Sequence, residues 1–375
     1  MARLVLAGAI LLSIVASSAA YAFGTVAILG QDREHERITR HALGCNYPGT
    51  GANCFQPRSL DEIAGKSGTY GGVGAPDDVT RGLITSDAAH CDNGDYLTLA
   101  EYHSTAPYPT LQATAQATLQ SCRAWMDTHL NNAVTQARAL VVNGAVDATQ
   151  IPTLGVTCTF SGKGGLAKCN VIEELGLTLH ASEDFYSHSN WVDKHDPNQW
   201  IGAKNPPGLG NTGKAPWLDL RVNPAPWPAG LISGCFVLVP EWLYCNDGKG
   251  RTKHDNLNKD KGQIDPTIGL AGTDRGKVQG NFKRAVEAAI DDTKDKWLIL
   301  QERIMSTYPN DGAMMICAIS HDDAVRDCAP PARRNSVTMH SIVLLGMFAL
   351  FGMYQFFSGS LWSGLRGSRP ASRRA

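Results

Sequence analysis

"VIEELGLTLHASEDFYSHSNW", residues 171–191, decides how this chain is read. It has no proline, and Ile172, Leu175, Leu179 and Tyr186 recur at intervals of three, four and seven. That spacing places them on one side of an α-helix. His180, Asp184 and His188 follow one another at four-residue steps. A helix turns about 100° per residue, so each such step drifts by only about 40° and the three share a face. Imidazole and carboxylate together suit a borderline metal such as zinc. On this stretch alone, a solvated polar face explains the pattern as well as one wall of a metal site does.

Three more stretches show helical periodicity: "DREHERITRHAL" (32–43), the long Ala- and Gln-rich segment 110–142, and 281–308 with Phe282, Val286, Ile290, Trp297 and Leu300. Strand signals are sparse, the best being "CFVLV" (235–239). The expected fold is therefore mainly α, a multi-helix domain. Residues 192–262 break the pattern with dense Pro, Gly and Trp, and read as a long irregular insert. Exposed Trp and Tyr there would suit a lipid interface. A small core of the insert's own explains them equally well.

The ends of the chain read differently from its body. Residues 1–22 have the form of a secretory signal peptide: Arg3, the apolar run "LVLAGAILLSIVA", then "AYA" before Phe23. Residues 337–362 contain no Asp, Glu, Lys or Arg, and about 20 apolar residues suffice to cross a bilayer. A transmembrane helix is expected over 336–362. The tail 363–375 carries Arg366, Arg369, Arg373 and Arg374, which favour the cytoplasmic side. This makes 23–335 the ectodomain of a single-pass type I cell-membrane protein. Setting aside Arg3 and the tail arginines takes the formal charge from −1 to about −6. Such a surface is mildly unfavourable to a polyanion.

All ten cysteines fall in the ectodomain, an even number in an oxidising compartment, so disulfides are expected. The simplest pairing joins neighbours: 45–54, 91–122, 158–169, 235–245 and 317–328. No pair has CxxC spacing, which argues against a thiolate zinc site.

Further donors lie far from the central helix: His35 in "DREHERITRHA", Asp77 and Asp78 in "GAPDDV", Asp87, His90 and Asp92 in "SDAAHCDNGDY", and His254, Asp255 and Asp260 in "KHDNLNKDKG". A zinc site assembled from several helices has this form. "HERIT" has Thr39 where a zincin needs its second His, and no G-x-S-x-G elbow is present. His41 is six residues from His35 and faces another way, as a structural or solvated residue would.

These segments, in this order, resemble the zinc-dependent phospholipase C and S1/P1 nuclease superfamily, most closely its HET-C-like branch. "AFG" with "HERITRHAL" is similar to the branch's N-terminus, "GAPDDV" and "AAH" to its Asp and His ligand segments, and "GLTLHASEDFYSHSNWV" to its central helix. The resemblance spans roughly residues 23–305. It implies two or three zinc ions: one on Asp77, His90, His180 and Asp184; a second on the Phe23 α-amino group and carbonyl with His35, sharing Asp184; a third on His188 and His254 with an acid. The family's Glu for that third ion falls at Asn258, leaving Asp260 or Asp255 as stand-in. Asp77 is the implied catalytic carboxylate.

The function implied is a membrane-anchored, zinc-dependent, phospholipase C-like phosphodiester hydrolase acting through zinc-activated water on a phospholipid or related substrate. Two alternatives stay open: a zinc-dependent nuclease on the same fold, with nucleic acid the less favoured substrate, and a non-catalytic HET-C-like surface recognition or structural protein.

Overall fold

In the computed structural model, the described residues are 23–24, 31–47, 51, 53–162, 164–237, 244–245 and 250–329. The expected signal peptide, transmembrane helix and basic tail lie outside them. No helix among the described residues is long and apolar enough to cross a membrane.

The chain is mainly helical, with α1 (Glu34–Leu43), α2 (Pro57–Ala64), α3 (Gln112–Ala137), α4 (Ala167–His188), α5 (Asn281–Thr307) and α6 (Gly312–Ser320). The quoted stretch forms most of α4, which packs most extensively against α3 and α5 and also meets α1, α2 and α6. Leu175, Leu179, Phe185 and Tyr186 are shielded from solvent, and so are His180, Asp184 and His188. From Leu175 to His188 every residue of the helix is buried, so that stretch has no solvated face. Its polar residues must find partners inside, because an unpaired buried charge is costly.

Gly176 lets the site assemble. A Cβ there would meet the backbone of Gly72 at 2.2 Å. Its absence lets the 71–77 segment lie directly on α4 and carry Asp77 inward on a 3₁₀ turn, Ala75–Asp77.

Element bounds differ from the periodicity in instructive places. The 110–142 segment stops being α-helical at Ala137, and Val141–Val142 then pairs antiparallel with Ala145–Val146. Asn143 and Gly144 between them both have positive φ, the signature of a two-residue hairpin turn. Helices α2 and α6 are additional to the expected ones, and Pro57 at the start of α2 is a helix-initiation signal. The expected strand at 235–239 is corrected. Cys235 makes one isolated bridge to Lys253, residues 236–237 are irregular, and 238–239 lie outside the described residues.

Helix α4 ends at His188, because the next residues turn to hold the insert. The Asn190 side chain accepts from the Ile232 amide (3.0 Å) and donates to the carbonyls of Pro207 (3.0 Å) and Gly230 (2.9 Å). Trp217 packs against Phe185 and Trp227, joining the insert to the main core, whereas Trp200 is exposed. The five neighbour disulfides all form as expected. Cys317 and Cys328 stand near His321, but their sulfurs are bonded to each other and offer no thiolate.

Candidate metal centre

Asp184 is the middle of the site. Its Oδ2 lies 2.9 Å from His90 Nδ1 and 3.0 Å from His180 Nε2, and those two nitrogens are 3.0 Å apart. A tetrahedral zinc with bonds near 2.0–2.1 Å holds its ligands about 3.3 Å apart. The triangle of three donors is close to one face of such a tetrahedron. Asp77 Oδ1, 3.8 Å from His180 Nε2, stands near it.

The other oxygen of Asp184 faces a different pair. Oδ1 is 3.1 Å from His35 Nε2 and 3.8 Å from His188 Nε2. Each carboxylate oxygen thus addresses its own pair of imidazoles, the arrangement of a bridging ligand. Beyond it, His188 Nε2 lies 3.3 Å from Asp260 Oδ1, and His254 Nε2 lies 3.4 Å from Asp260 Oδ2. Asp92 approaches the same group, with Oδ1 3.1 Å from His188 Nδ1.

Hydrogen bonds behind the rings fix which nitrogens face inward. His180 Nδ1 donates to the Val73 carbonyl (2.8 Å) and His188 Nδ1 to the His90 carbonyl (2.8 Å). A carbonyl only accepts, so the proton sits on Nδ1 and the Nε2 lone pair points into the cluster. His35 Nδ1 donates to Glu183 Oε2 at 2.6 Å. Glu183 is locked in turn by the hydroxyls of Thr39 (2.9 Å) and Thr293 (3.0 Å) on its Oε1. Ser187 likewise donates to Asp260 Oδ1.

Fit to a cation can be judged from these atoms. His35 Nε2, His188 Nε2, Asp92 Oδ1, Asp184 Oδ1 and Asp260 Oδ2 are buried without a hydrogen-bond partner. Buried polar atoms are almost always paired, so this many in one cluster point to a ligand that is a cation. Three donor sets have all their ligand atoms within 4.8 Å of one another: His35, Asp77 and His180; His90, His180 and Asp184; Asp92, His188 and His254. The clusters can hold metal ions.

The electrostatics agree. Burial would raise the Asp184 pKa, but the imidazoles of His180, His188 and His35 outweigh it and hold the carboxyl well below its usual range. Burial pushes the His180 pKa down, against the raising effect of the Asp184 charge. For His35, burial acts downward but the charge of Asp184, with hydrogen bonds to Asp184 and Glu183, wins and raises it to about 10. This cage attracts positive charge, and protons fill the role when no metal does. A metal must displace them. Metal uptake at pH 7 is therefore expected to release protons, with affinity rising up to about tenfold per pH unit for each proton released. Calorimetry in buffers of different ionisation enthalpy measures the number; a buffer-independent heat would contradict it.

The structure brings together His35, Asp77, His90, His180, Asp184, His188, His254 and Asp260. Phe23 is buried beside them, its ring edge-on to His35 at 5.8 Å. Asp260 rather than the exposed Asp255 is the acid at the last group, and Asn258 Nδ2 stands 3.4 Å from His254 Nδ1. His41 lies apart, paired with Asp265 at 2.6 Å. Asp92, named among the candidate donors but given to no ion, joins the His188 and His254 group, and Glu183 is the site residue that the sequence does not mark. Glu183 lies within the quoted central stretch, but a residue that orients a ligand has no spacing rule of its own. A cavity of about 580 Å³ touches the Asp77 turn through Ala75 and Asp78.

Comparison with protein-family models, with curated proteins and with solved structures gives no match to this chain.

Proposed function

We propose that the chain is a zinc-dependent phosphodiester hydrolase of phospholipase C-like type, on the fold of the phospholipase C and P1 nuclease superfamily and anchored by residues 336–362. The observation that carries this reading is the divided carboxylate of Asp184, whose two oxygens face two separate imidazole pairs. It implies adjacent cations, and paired cations suit in-line displacement at phosphorus. Bound zinc would supply an acidified water and neutralise phosphoryl oxygens. Asp77 is at the rim of the cluster, 9% exposed where His180 and Asp184 are fully enclosed. It is placed to hold or deprotonate a water entering from that side. His35, His90, His180, His188, His254 and Asp260 hold the geometry, and the Phe23 main chain completes the edge by His35.

A non-catalytic recognition or structural protein with the same centre is the second reading. The near-complete burial of every ligand side chain favours it.

The test uses the chain beginning at Phe23, with bound metal counted and phosphatidylcholine and single-stranded DNA assayed in parallel. Two or three zincs, with lipid turnover reduced at least about 100-fold in His180→Ala, is the expected result. Zinc without turnover of either substrate supports the second reading. Absence of bound metal would sink both.

A further inference from the structure

Glu34 opens α1 next to the metal ligand His35, is fully buried, and belongs to none of the ligand groups. Its carboxylate accepts three backbone amides. Oε2 takes Gly24 N–H at 3.1 Å, and Oε1 takes Asp32 N–H at 2.9 Å and Gly262 N–H at 3.0 Å. Each amide belongs to a different segment of the centre. Gly24 follows Phe23, Asp32 leads into the helix that carries His35, and Gly262 lies two residues beyond Asp260. The His35 amide donates back to the Gly24 carbonyl at 3.2 Å, closing the N-terminal segment onto α1 from the other side.

The backbone around Glu34 is shaped for this. Arg33 adopts a left-handed conformation, φ 57°, which turns the chain sharply just before the helix. Such a conformation costs a non-glycine residue roughly 1–2 kcal/mol and persists where its surroundings impose it. Gly262 also has no room for a side chain, since a Cβ would meet the Phe282 ring at 2.4 Å. The loop that brings Asp260 in is thus pressed between Phe282 and the Glu34 carboxylate.

We infer that Glu34 is a positioning residue of the metal centre, fastening the Phe23, His35 and Asp260 segments in mutual register through three main-chain hydrogen bonds. The inference rests on the metal-centre reading above. A carboxylate can do this because both oxygens accept. Glutamine keeps one acceptor and turns an N–H₂ toward an amide N–H, so at least one segment is released. Aspartate is one methylene shorter and cannot span all three.

The test compares wild type, Glu34→Gln and Glu34→Asp in the chain beginning at Phe23. Zinc per chain and zinc affinity by chelator competition are measured, with urea unfolding in excess EDTA. The expected result is selective. The glutamine oxygen keeps the most bonds in the Oε1 place, where it holds Asp32 and Gly262 and releases Gly24, so Glu34→Gln weakens the ion at His35 about 10–100-fold, the range for outer partners of ligands. The ion at His90 and His180 is kept, because Glu34 touches none of its donors. A residue added before Phe23 already frees that segment, so combining it with Glu34→Gln should weaken the His35 ion no further than either change alone. Unchanged stoichiometry and affinity in Glu34→Gln would overturn the inference. So would uniform weakening of every ion in step with lost stability in EDTA, which marks a merely structural role. If Glu34→Gln does not fold, Glu34→Asp must show the same selective loss. A wild-type chain that binds no metal defeats the parent reading instead, so the two failures are distinguishable.

Discussion

Asp184→Asn is expected to leave less than one metal ion per chain where the wild type holds two or more. The side chains are nearly the same size, so packing is conserved and the change is one of charge and donor type. In the wild type, Oδ2 faces His90 and His180 while Oδ1 faces His35 and His188. Asparagine presents a single oxygen, and its N–H₂ points at imidazole nitrogens that should carry lone pairs for a metal. Loss of an outer partner typically costs 10–100-fold in metal affinity. A shared ligand costs at least that at each ion it touches. The metal-free protein should weaken as well. Raised pKa values at His35 and His90 rest substantially on the Asp184 charge, after the opposing effect of burial. Removing one partner of a buried charge pair costs about 3–5 kcal/mol. Metal analysis and urea unfolding in chelator read the two effects separately. Two ions retained by Asp184→Asn would refute the bridging role.

That role was partly legible in the sequence. The four-residue spacing of His180, Asp184 and His188 is a property of helical geometry and needs no tertiary information. Whether that face met water or the protein interior was decided by burial, which depends on α1, α3 and α5 closing around α4. The neighbour disulfides were legible for a related reason: four of the five close local loops, so chain connectivity brings the partners together. What stayed hidden depends on contacts between distant segments. Glu183 sits one residue from Asp184 and about 100° around the helix, on a side with no repeat to mark it. Its purpose shows only when Thr39, Thr293 and His35 arrive from two other helices. The insert is a similar case. Its composition suggested irregularity, and its described residues are irregular, yet the Asn190 side chain at the end of α4 ties it down by bonds to main-chain groups that composition does not encode. The Asn-Gly hairpin at 143–144 was a local signal, and the helical periodicity running into it obscured it.

Glu183 separates two things that Asp184 confounds, ligation and orientation. It is fully buried, contacts His35 Nδ1 and has no place among the donors around Asp184. Glu183→Gln can keep the geometry: its oxygen accepts from His35 Nδ1, and its N–H₂ donates to the Thr39 and Thr293 hydroxyls, which accept as well as donate. What it removes is the negative charge that makes the His35 ring a stronger base. The ion held by His35 should therefore bind about 10–100-fold more weakly, while the ion at His90 and His180 keeps its affinity. Stability in chelator should fall a little too, because Glu183 helps Asp184 hold the His35 pKa up against burial, although Asp184 has the larger effect and remains. Glu183→Ala goes further. It strands two buried hydroxyls and an imidazole N–H, each costing roughly 1–3 kcal/mol. If both substitutions weaken every ion alike, Glu183 supports the fold in general. If Glu183→Gln weakens only one, a carboxylate that touches no metal selectively controls the strength of one ligand, and the centre extends beyond the residues that face its ions.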